Sequence, residues 1–584
     1  MQKIWKIKPP DAALQKRLSA NLSISPFLAQ LLINRGLSTE EKAGEFLKSD
    51  TACLGNFTGL PDLDKAKNRI QKARDNKEKV LLFSDYDADG LTALAILKNA
   101  LDKFGLQAEC YIPHRLKEGY GLGKDAVRYI RDIGFDLVVT LDCGVSNFRE
   151  IAELKNQGIE TVVIDHHHLS ENKIPCAWAV INPKRQDSSY AHPDLAGVGL
   201  AYKFASYLLD ENLEEELDLA AIGTIADMVP LTGENRVIAK EGLKKLNNTR
   251  RPGLSSLIET AGIKNKLIDA QTVSYVLAPR INACGRLGEA GLAFRLLISR
   301  SNDEADALAK ELNLKNRQRQ GIEGRILDEA LILMDTEIDL ARERVIVLHQ
   351  DGWHQGVLGI VAAKISAKFH RPAIIVSFND GLGKGSGRSI DTFHLFDGLA
   401  ECSNHLEGFG GHKKACGLSI LAEKMGDFRK SINRIAWETL RPEDLLPSLS
   451  IEACLNLSGL NSGLLDEINS LEPFGQGNPK PVFASLNLKV QSKPEVLGRD
   501  TLKFWVSDGS PRGIRLGEPK ARREAEGRSV YPAVGFRLGN YFDLVNSGQN
   551  LDIAYRLSLD TWKGNNQLQL EIEDLRITPP TIKL

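Results

Sequence analysis

The chain has 584 residues, 42% apolar and 26% charged, and a formal net charge of -1. That length gives roughly three to four domains of about 150 residues each, and the composition is that of a soluble protein with real cores. The near-zero charge excludes wholesale electrostatic binding of nucleic acid while leaving room for local basic patches. The eight cysteines include no CxxC pair, and the opening MQKIWKIKPP lacks the apolar core of a secretion signal. No run of about 18 apolar residues occurs, so a cytoplasmic protein with reduced thiols and no membrane span is expected.

Residues 1–50 read as a small N-terminal helical segment. Pro26 opens an apolar run through Phe27, Leu28, Leu31 and Leu32, Gly36 ends it, and Ser38-Thr39-Glu40-Glu41 starts another helix with capping chemistry. This segment is expected to cover an edge. Over 51–300 the pattern alternates, with strands at Val80–Ser84, Ala108–Pro113, Asp136–Asp142 and Glu160–Asp165 separated by helical stretches. Such alternation gives an α/β domain with a mostly parallel sheet and helices on both faces.

The first strand runs straight into Asp85, Asp87 and Asp89, three carboxylates in five residues, followed by Gly90 and a helix. Like charges this close cost free energy and call for a cation, and hard divalent cations take oxygen ligands. A calcium loop needs a bidentate Glu at position twelve. Counting from Asp85, that position is Ile96 inside an apolar helix. The third strand ends at Asp142 and the fourth at Asp165-His166-His167-His168, so acids and imidazoles meet at the carboxyl edge of the sheet, where ligands bind in such folds. Imidazole beside carboxylate suits Mn, Zn or Fe more than Ca. A histidine tract can instead be a solvated loop or a tag, but a tag does not close a VVID strand. Asp227, near the end of the apolar stretch Leu217–Leu231, is the candidate fifth ligand.

Further on, APRINACGRLG at 278–288 carries Arg280 and Arg286 in what reads as a Gly-containing turn, suited to phosphate contact or simply a charged surface loop. Residues 301–335 predict one long connecting helix. Its ends are apolar and its middle, Asn313–Gln320, is polar and carries Lys315, Arg317 and Arg319, which either line a strand channel or are solvated. Residues 336–445 predict a second α/β domain with strands Arg344–Leu348 and Ala373–Phe378. Its two Gly-rich segments, GKGSGRS at 383–389 and GFGGHKKACG at 408–417, are read as loops whose amides close on a phosphate, with Arg388 and His412 adding charge and donors. Residues 446–584 turn to strand patterns, with a hairpin around Lys563-Gly564-Asn565-Asn566 and a basic run Arg512, Arg515, Lys520, Arg522, Arg523 and Arg528. A small β-barrel of OB type that binds single strands fits this region, with Phe504 or Trp505 as a base-stacking residue.

Together these motifs resemble the DHH phosphoesterase superfamily and, within it, the RecJ family of single-strand-specific 5′→3′ exonucleases. DYDADG at 85–90, LDCG at 141–144, DHH at 165–167 and ADMVPL at 226–231 are similar to the first four family motifs. GSGRS at 385–389 and GHKKACG at 411–417 resemble those of the DHHA1 domain, and PRINACGR and LEPFGQGNPKPVF point to RecJ-type chains. The resemblance implies a parallel-sheet DHH domain, a long bridging helix, a second α/β DHHA1 domain and a C-terminal OB-like β-barrel. It implies that Asp87, Asp89, Asp142, His166 and Asp227 hold two divalent cations, Mn2+ or Mg2+, with His167 assisting in catalysis. Arg115, Arg280, Ser386 and Arg388 match positions that hold a 5′ phosphate. It further implies single-stranded DNA as substrate, a helicase and a single-strand-binding protein as candidate partners, a monomer, and a role in DNA repair and recombination. Phe83 stands where many relatives have His, and Cys284 and Cys416 where Ala is usual. The competing readings are a smaller-substrate DHH enzyme, such as an oligoribonuclease, cyclic-dinucleotide phosphodiesterase or pyrophosphatase, and a non-catalytic scaffold. Neither needs the extra barrel together with a complete ligand set.

Overall fold

The computed structural model describes residues 3–169, 173–498, 500–511, 528–560 and 567–579. The chain forms two units: Ser49–Leu445 with Gly475–Gly477, and Met1–Lys48 with Leu446–Phe474 and Asn478–Leu584.

In the larger unit a five-stranded parallel sheet runs in the order Ala108–Tyr111, Val80–Ser84, Leu137–Leu141, Glu160–Ile164, Ala179–Ile181. The central strands VLLFS and LVVTL are buried at every position, as near-continuous apolar runs are when both faces are covered. Side chains alternate between those faces. Leu82, Leu137, Val139 and Val162 pack with the helices Ala88–Phe104, Gly197–Leu209 and Leu217–Ala226, while Leu81, Phe83, Val138 and Val163 pack with Lys124–Ile133 and Phe148–Asn156. The expected four strands are present. The additional one, Ala179–Ile181, has only three residues, too few for a period to emerge from sequence.

Each acidic strand end extends the hydrogen-bond ladder by one residue. The amides of Asp85, Asp142 and Asp165 donate to the carbonyls of Leu141, Ile164 and Ile181 at 3.3, 3.0 and 3.1 Å. The sheet itself therefore sets the carboxylates side by side along one edge.

The stretch Ala278–Arg286 is a helix rather than the expected turn, preceded by a π-helical segment at Val273–Leu277. The long connecting helix spans Asn302–Glu337, its N-terminus capped by the Ser301 hydroxyl. Its polar middle is not uniformly solvated: Asn316, Arg319 and Glu323 are buried. Arg319 donates to Asn316 at 2.6 Å and pairs with Glu323, which also pairs with Lys364. Polar residues here are buried because they satisfy one another.

The second sheet of this unit runs Gly408–His412, Ala415–Leu421, Leu382–Arg388, Ala373–Asn379, Ile346–Asp351. Both Gly-rich segments thus lie in paired strands, and they are not the phosphate-cradling loops expected from sequence. The amides of Leu382–Arg388 are taken up by ladders on both sides, while among the described residues Gly408–His412 is an edge strand paired only with Ala415–Leu421. The glycines serve close packing: a Cβ on Gly383 would meet Phe378 at 2.7 Å, and one on Gly387 would meet Leu395 at 2.7 Å. Because Gly383, Gly385 and Gly387 face inward, Ser386 and Arg388 face the other way.

In the smaller unit Phe483–Val490, Leu551–Asp560, Gln567–Ile577, Arg528–Phe536 and Thr501–Pro511 pair in succession, and the last pairs back onto the first through Lys489–Ser507 and Val490–Val506. This closes the ring expected of an OB-type barrel. Phe504 enters the core and Trp505, half-buried, takes the opposite face. Arg512, Arg515, Lys520, Arg522 and Arg523 of the basic run, and the turn Lys563–Asn566, lie outside the described residues. Arg528 opens a strand. The N-terminal segment joins this unit: Ile4–Ile7 pairs in parallel with Ser448–Ile451, and Leu28, Leu31, Leu32 and Phe46 share a core with Phe483 and Tyr555. Among the described residues no helix is long and apolar enough to cross a membrane.

Trp5 pins this strand. Its indole donates to Asp574 at 2.7 Å, and the Arg576 guanidinium stacks 4.2 Å from its ring. Trp5→Ala is expected to lower the stability of this unit by about 2 kcal/mol through lost packing and a lost hydrogen bond. Urea unfolding checks this, and a midpoint equal to wild type would show that the strand is held by its backbone pairing alone.

Candidate metal centre

Helix ends and glycines position the acids. Asp87 caps Ala88–Phe104, accepting from the amides of Asp89 and Gly90 at 3.0 and 3.1 Å. Asn282 accepts from the Ala88 amide at 2.7 Å and ties this turn to the helix Ala278–Arg286. Asp89 accepts from the Gly197 and Val198 amides at 2.9 and 2.7 Å, at the positive end of the Gly197–Leu209 dipole. Gly197 is required there, since a Cβ would stand 2.7 Å from an Asp142 carboxylate oxygen. Asp142 has a left-handed backbone with φ 58°, a conformation that Asp tolerates better than most residues.

His166 lies at the centre. Its Nε2 is 3.2 Å from Asp142, 3.7 Å from Asp227 and 3.9 Å from Asp89. Candidate ligand atoms fall into three overlapping groups, each within 4.8 Å: Asp85, Asp87 and Asp142; Asp89, His166 and Asp227; and Asp142, His166 and His167. All five residues expected as ligands are therefore brought together, and Asp85 joins them. Asp85 Oδ1, Asp142 Oδ1 and both ring nitrogens of His166 are buried without a hydrogen-bond partner. Native structures rarely leave such atoms unsatisfied, and this donor set suits a divalent cation with mixed oxygen and nitrogen ligands.

The electrostatics agree. Burial, then repulsion from Asp87, holds the Asp85 carboxyl well above the usual range; burial with Asp227 and Asp87 does so for Asp89, and burial with Asp89 and Asp87 for Asp142. Asp227 is raised chiefly by burial. Burial lowers His166 to about 4, so its imidazole is neutral at physiological pH and free to ligate. His167 behaves oppositely: burial pulls it down, but Asp165, 2.7 Å from Nδ1, outweighs this and raises it to about 9. Burial pushes Asp165 up, yet His167 brings it down to about 2. Asp165 also accepts from the amides of Val145 and His167. The sequence marked it only as a strand end, yet here it orients His167.

Beside the acids is a cluster of arginines. Arg115 lies over the Tyr86 ring at 4.9 Å. Burial, then repulsion from Arg115, Arg319 and Arg388, lowers Arg286 to about 10, and Asp87 is the carboxylate it senses. Arg388 is lowered by burial and by Arg115. The helix Leu358–Phe369 sits directly against Arg388 and Ser386, since a Cβ on Gly359 would stand 2.8 and 3.5 Å from them. Among the described residues, no carboxylate comes within 4.0 Å of Arg115, Arg286 or Arg388. The structure thus brings Arg115, Ser386 and Arg388 together with Arg286. Arg280 stands apart: it donates to Val276 and Asn313 at 2.6 and 3.2 Å, and its charged neighbour is Arg317. The two arginines are six positions apart on one helix and face different ways, which sequence spacing alone did not resolve. His412 lies across from His168, ring centroids 6.1 Å apart.

Models of three domains match the chain: the DHH family N-terminal domain over 79–224, the DHHA1 domain over 342–438, and the RecJ OB domain over 451–517 and 519–574. The single-stranded-DNA-specific exonuclease RecJ of Bacillus subtilis (strain 168) is 36% identical over 578 residues, covering 98% of this chain and 71% of that protein. The protein of the same name from Escherichia coli (strain K12) is 30% identical over 577 residues, 94% of this chain and 96% of that one. The chain belongs to the RecJ family. The solved structure of RecJ in complex with Mn2+ from Thermus thermophilus superposes with a TM-score of 0.82 at 29% identity, covering 99% of this chain and 80% of that chain. The family assignment accounts for the shared order of the two α/β domains and the barrel.

The Asp165–His167 pair gives a test in metal-free protein. His167 is raised from 6.5 to about 9, so its contribution to stability is complete below about 6.5 and is lost as pH rises through about 9. Asp165 is lowered from 3.8 to about 2, so its contribution is present above 3.8 and is lost as pH falls through about 2. The stability difference between wild type and Asp165→Asn is expected to be largest between pH 3.8 and 6.5 and to shrink towards alkaline pH. Urea midpoints in the presence of chelator measure it, and a difference independent of pH would contradict the pairing.

Proposed function

We propose that the chain is a metal-dependent exonuclease that degrades single-stranded DNA from the 5′ end and releases 5′ mononucleotides. The observation that carries this reading is a set of buried, unsatisfied carboxylate and imidazole ligands adjoining three arginines that have no carboxylate within reach among the described residues. Asp87, Asp89, Asp142, His166 and Asp227 are the ligands for two divalent cations, Mn2+ or Mg2+, with Asp85 contributing. Such cations supply the activation of water and the charge neutralisation that hydrolysis of an anionic phosphodiester demands. His167, whose Nδ1 lies 2.7 Å from Asp165, is oriented by it towards the scissile phosphate, and Tyr120, whose hydroxyl lies 3.2 Å from the same nitrogen, fixes the ring. His412 contacts the substrate from the facing sheet.

Polarity follows from charge. A terminal phosphomonoester carries about -1.5 to -2 at neutral pH, more than the single charge of an internal diester. Several guanidiniums around one phosphate read that difference, since each grips two oxygens in a fixed fork. Arg115, Arg286, Arg388 and Ser386 form this anchor. The barrel adds single-strand binding, as OB folds do, and the named relatives are single-stranded-DNA-specific exonucleases. The activity fits repair and recombination in the cytoplasm, as a monomer working beside a helicase and a single-strand-binding protein.

Asp142→Asn is expected to cut cleavage by several orders of magnitude in Mn2+ while leaving single-strand binding largely intact. Near-normal turnover of the purified variant would overturn the metal assignment. For the anchor, Arg286→Ala or Arg388→Ala is expected to lower the rate on 5′-phosphorylated strands relative to 5′-hydroxyl strands by about ten- to a hundredfold, the effect of losing one charge-assisted contact. Arg280→Ala should leave that ratio unchanged. A ratio that moves with Arg280 and not with Arg286 would place the anchor elsewhere.

A further inference from the structure

The metal centre has two ends with different surroundings. At the Asp85 and Asp87 end the neighbouring cations are Arg115 and Arg286. At the Asp227 and His166 end Lys184 stands beside His167, and it senses Asp194, Asp227 and Asp165. A cleft of about 660 Å3 opens at this second end, within the size range of small-ligand sites. Beyond the ligands themselves it is lined by His168 and Lys184 from the first sheet domain and by His394, Phe396, His412 and Lys413 from the second.

Three features of the cleft point to a nucleotide. Lys184 is half-buried, which lowers its pKa, yet its ammonium makes no hydrogen bond or ion pair among the described residues. Phe396 is only half-buried; it packs on Phe409, ring centroids 5.5 Å apart, and borders the open cleft. Lys413 is exposed on the same wall. An aromatic face bordered by unpaired ammonium groups is the pairing that holds single-stranded nucleic acid, the ring for a base and the cations for the backbone.

The geometry points to this cleft as the subsite for the second nucleotide of the strand, the one 3′ of the scissile phosphate. The inference rests on the function proposed above. With the 5′ phosphate on the arginines at one end of the centre, the scissile phosphate lies at the ligands and the strand continues past Asp227 and His166. Phe396 stacks the base of the second nucleotide, and Lys184 and Lys413 take the phosphate that follows it. The hydrolytic step is unchanged: water adds to the scissile phosphorus and the O3′ of the first nucleotide leaves with a proton. The cleft holds the nucleotide that keeps the phosphate as its new 5′ end.

Modified 5′-phosphorylated single strands test this in single turnover with Mn2+. An abasic second nucleotide is expected to slow the wild type by about tenfold, the effect of one lost stacking contact. Phe396→Ala should be slowed by about the same factor on the intact strand and show no further loss on the abasic one. A neutral methylphosphonate at the following phosphate should relate to Lys184→Ala in the same way. Losses that multiply in both pairs would overturn the subsite. An abasic scan on wild type alone guards against a variant that fails to fold: a larger loss at the second position than at the third supports the subsite, and equal losses overturn it. Release of mononucleotides from the unmodified strand by wild type is the separate check on the function itself, so the two failures are distinguishable.

Discussion

Mutual repulsion among buried carboxylates is the constraint on which the catalytic unit depends. Asp85, Asp89 and Asp142 are almost fully buried, and burial together with neighbouring carboxylates raises the proton affinity of each. Concentrating like charge in a low-dielectric site costs free energy that only protonation or a cation relieves. The fold keeps the acids in place by rigid means. The parallel ladder fixes Asp85, Asp142 and Asp165 one residue past their strands, and helix N-termini direct amides at Asp87 and Asp89. Gly90 and Gly197 permit approaches of 2.7 Å, measured from where a Cβ would stand, that no other residue allows.

The same logic with opposite sign governs the arginines. Arg286 and Arg388 are lowered by burial and by neighbouring guanidiniums, and among the described residues no carboxylate within reach offsets them. A half-buried cation cluster beside a buried anion cluster could collapse into ion pairs. It does not, because the two are borne by different elements: the acids by strand ends and helix caps, the arginines by the helix Ala278–Arg286 and the strand Leu382–Arg388. The separation leaves both groups of charge without partners of opposite sign among the described residues. A chain with net charge -1 can therefore address a polyanion, because the charge that matters is local.

Structural polar clusters elsewhere in the unit show the contrast. Lys203 is fully buried, yet its ammonium donates to Leu54, Asn56 and Glu234 at 2.9, 2.8 and 2.7 Å. Arg251 is matched to Asp218 and Glu216. In these places each charge is satisfied and the cluster only holds the fold. Among the acids of the candidate metal centre and at Arg286 and Arg388 the charges are left over, and that sets these places apart from clusters that only hold the fold.

Local pattern in the sequence determined much of this. The strands Val80–Ser84 and Glu160–Ile164 and the long helix Asn302–Glu337 follow from apolar runs, period and a Ser cap, because those signals act over a few residues. The acids at the strand ends were equally legible, since a parallel sheet brings all such ends to one edge. Decisions that depend on which way a side chain faces were made only by tertiary structure. Arg286 rather than Arg280 meets Arg115 and Arg388 because Ala278–Arg286 is a helix and not a turn, and orientation around a helix changes by about 100° per residue. The Gly-rich segments look like loops in sequence but are strands, and in the first of them packing of Gly383, Gly385 and Gly387 against Phe378, Val376 and Leu395 requires glycine as firmly as a turn does. Ile4–Ile7 pairs with Ser448–Ile451 across more than four hundred residues, and Asp165 bonds to both the amide and the ring of His167. No local period encodes either choice, because each is set by long-range contacts that exist only once the chain has folded.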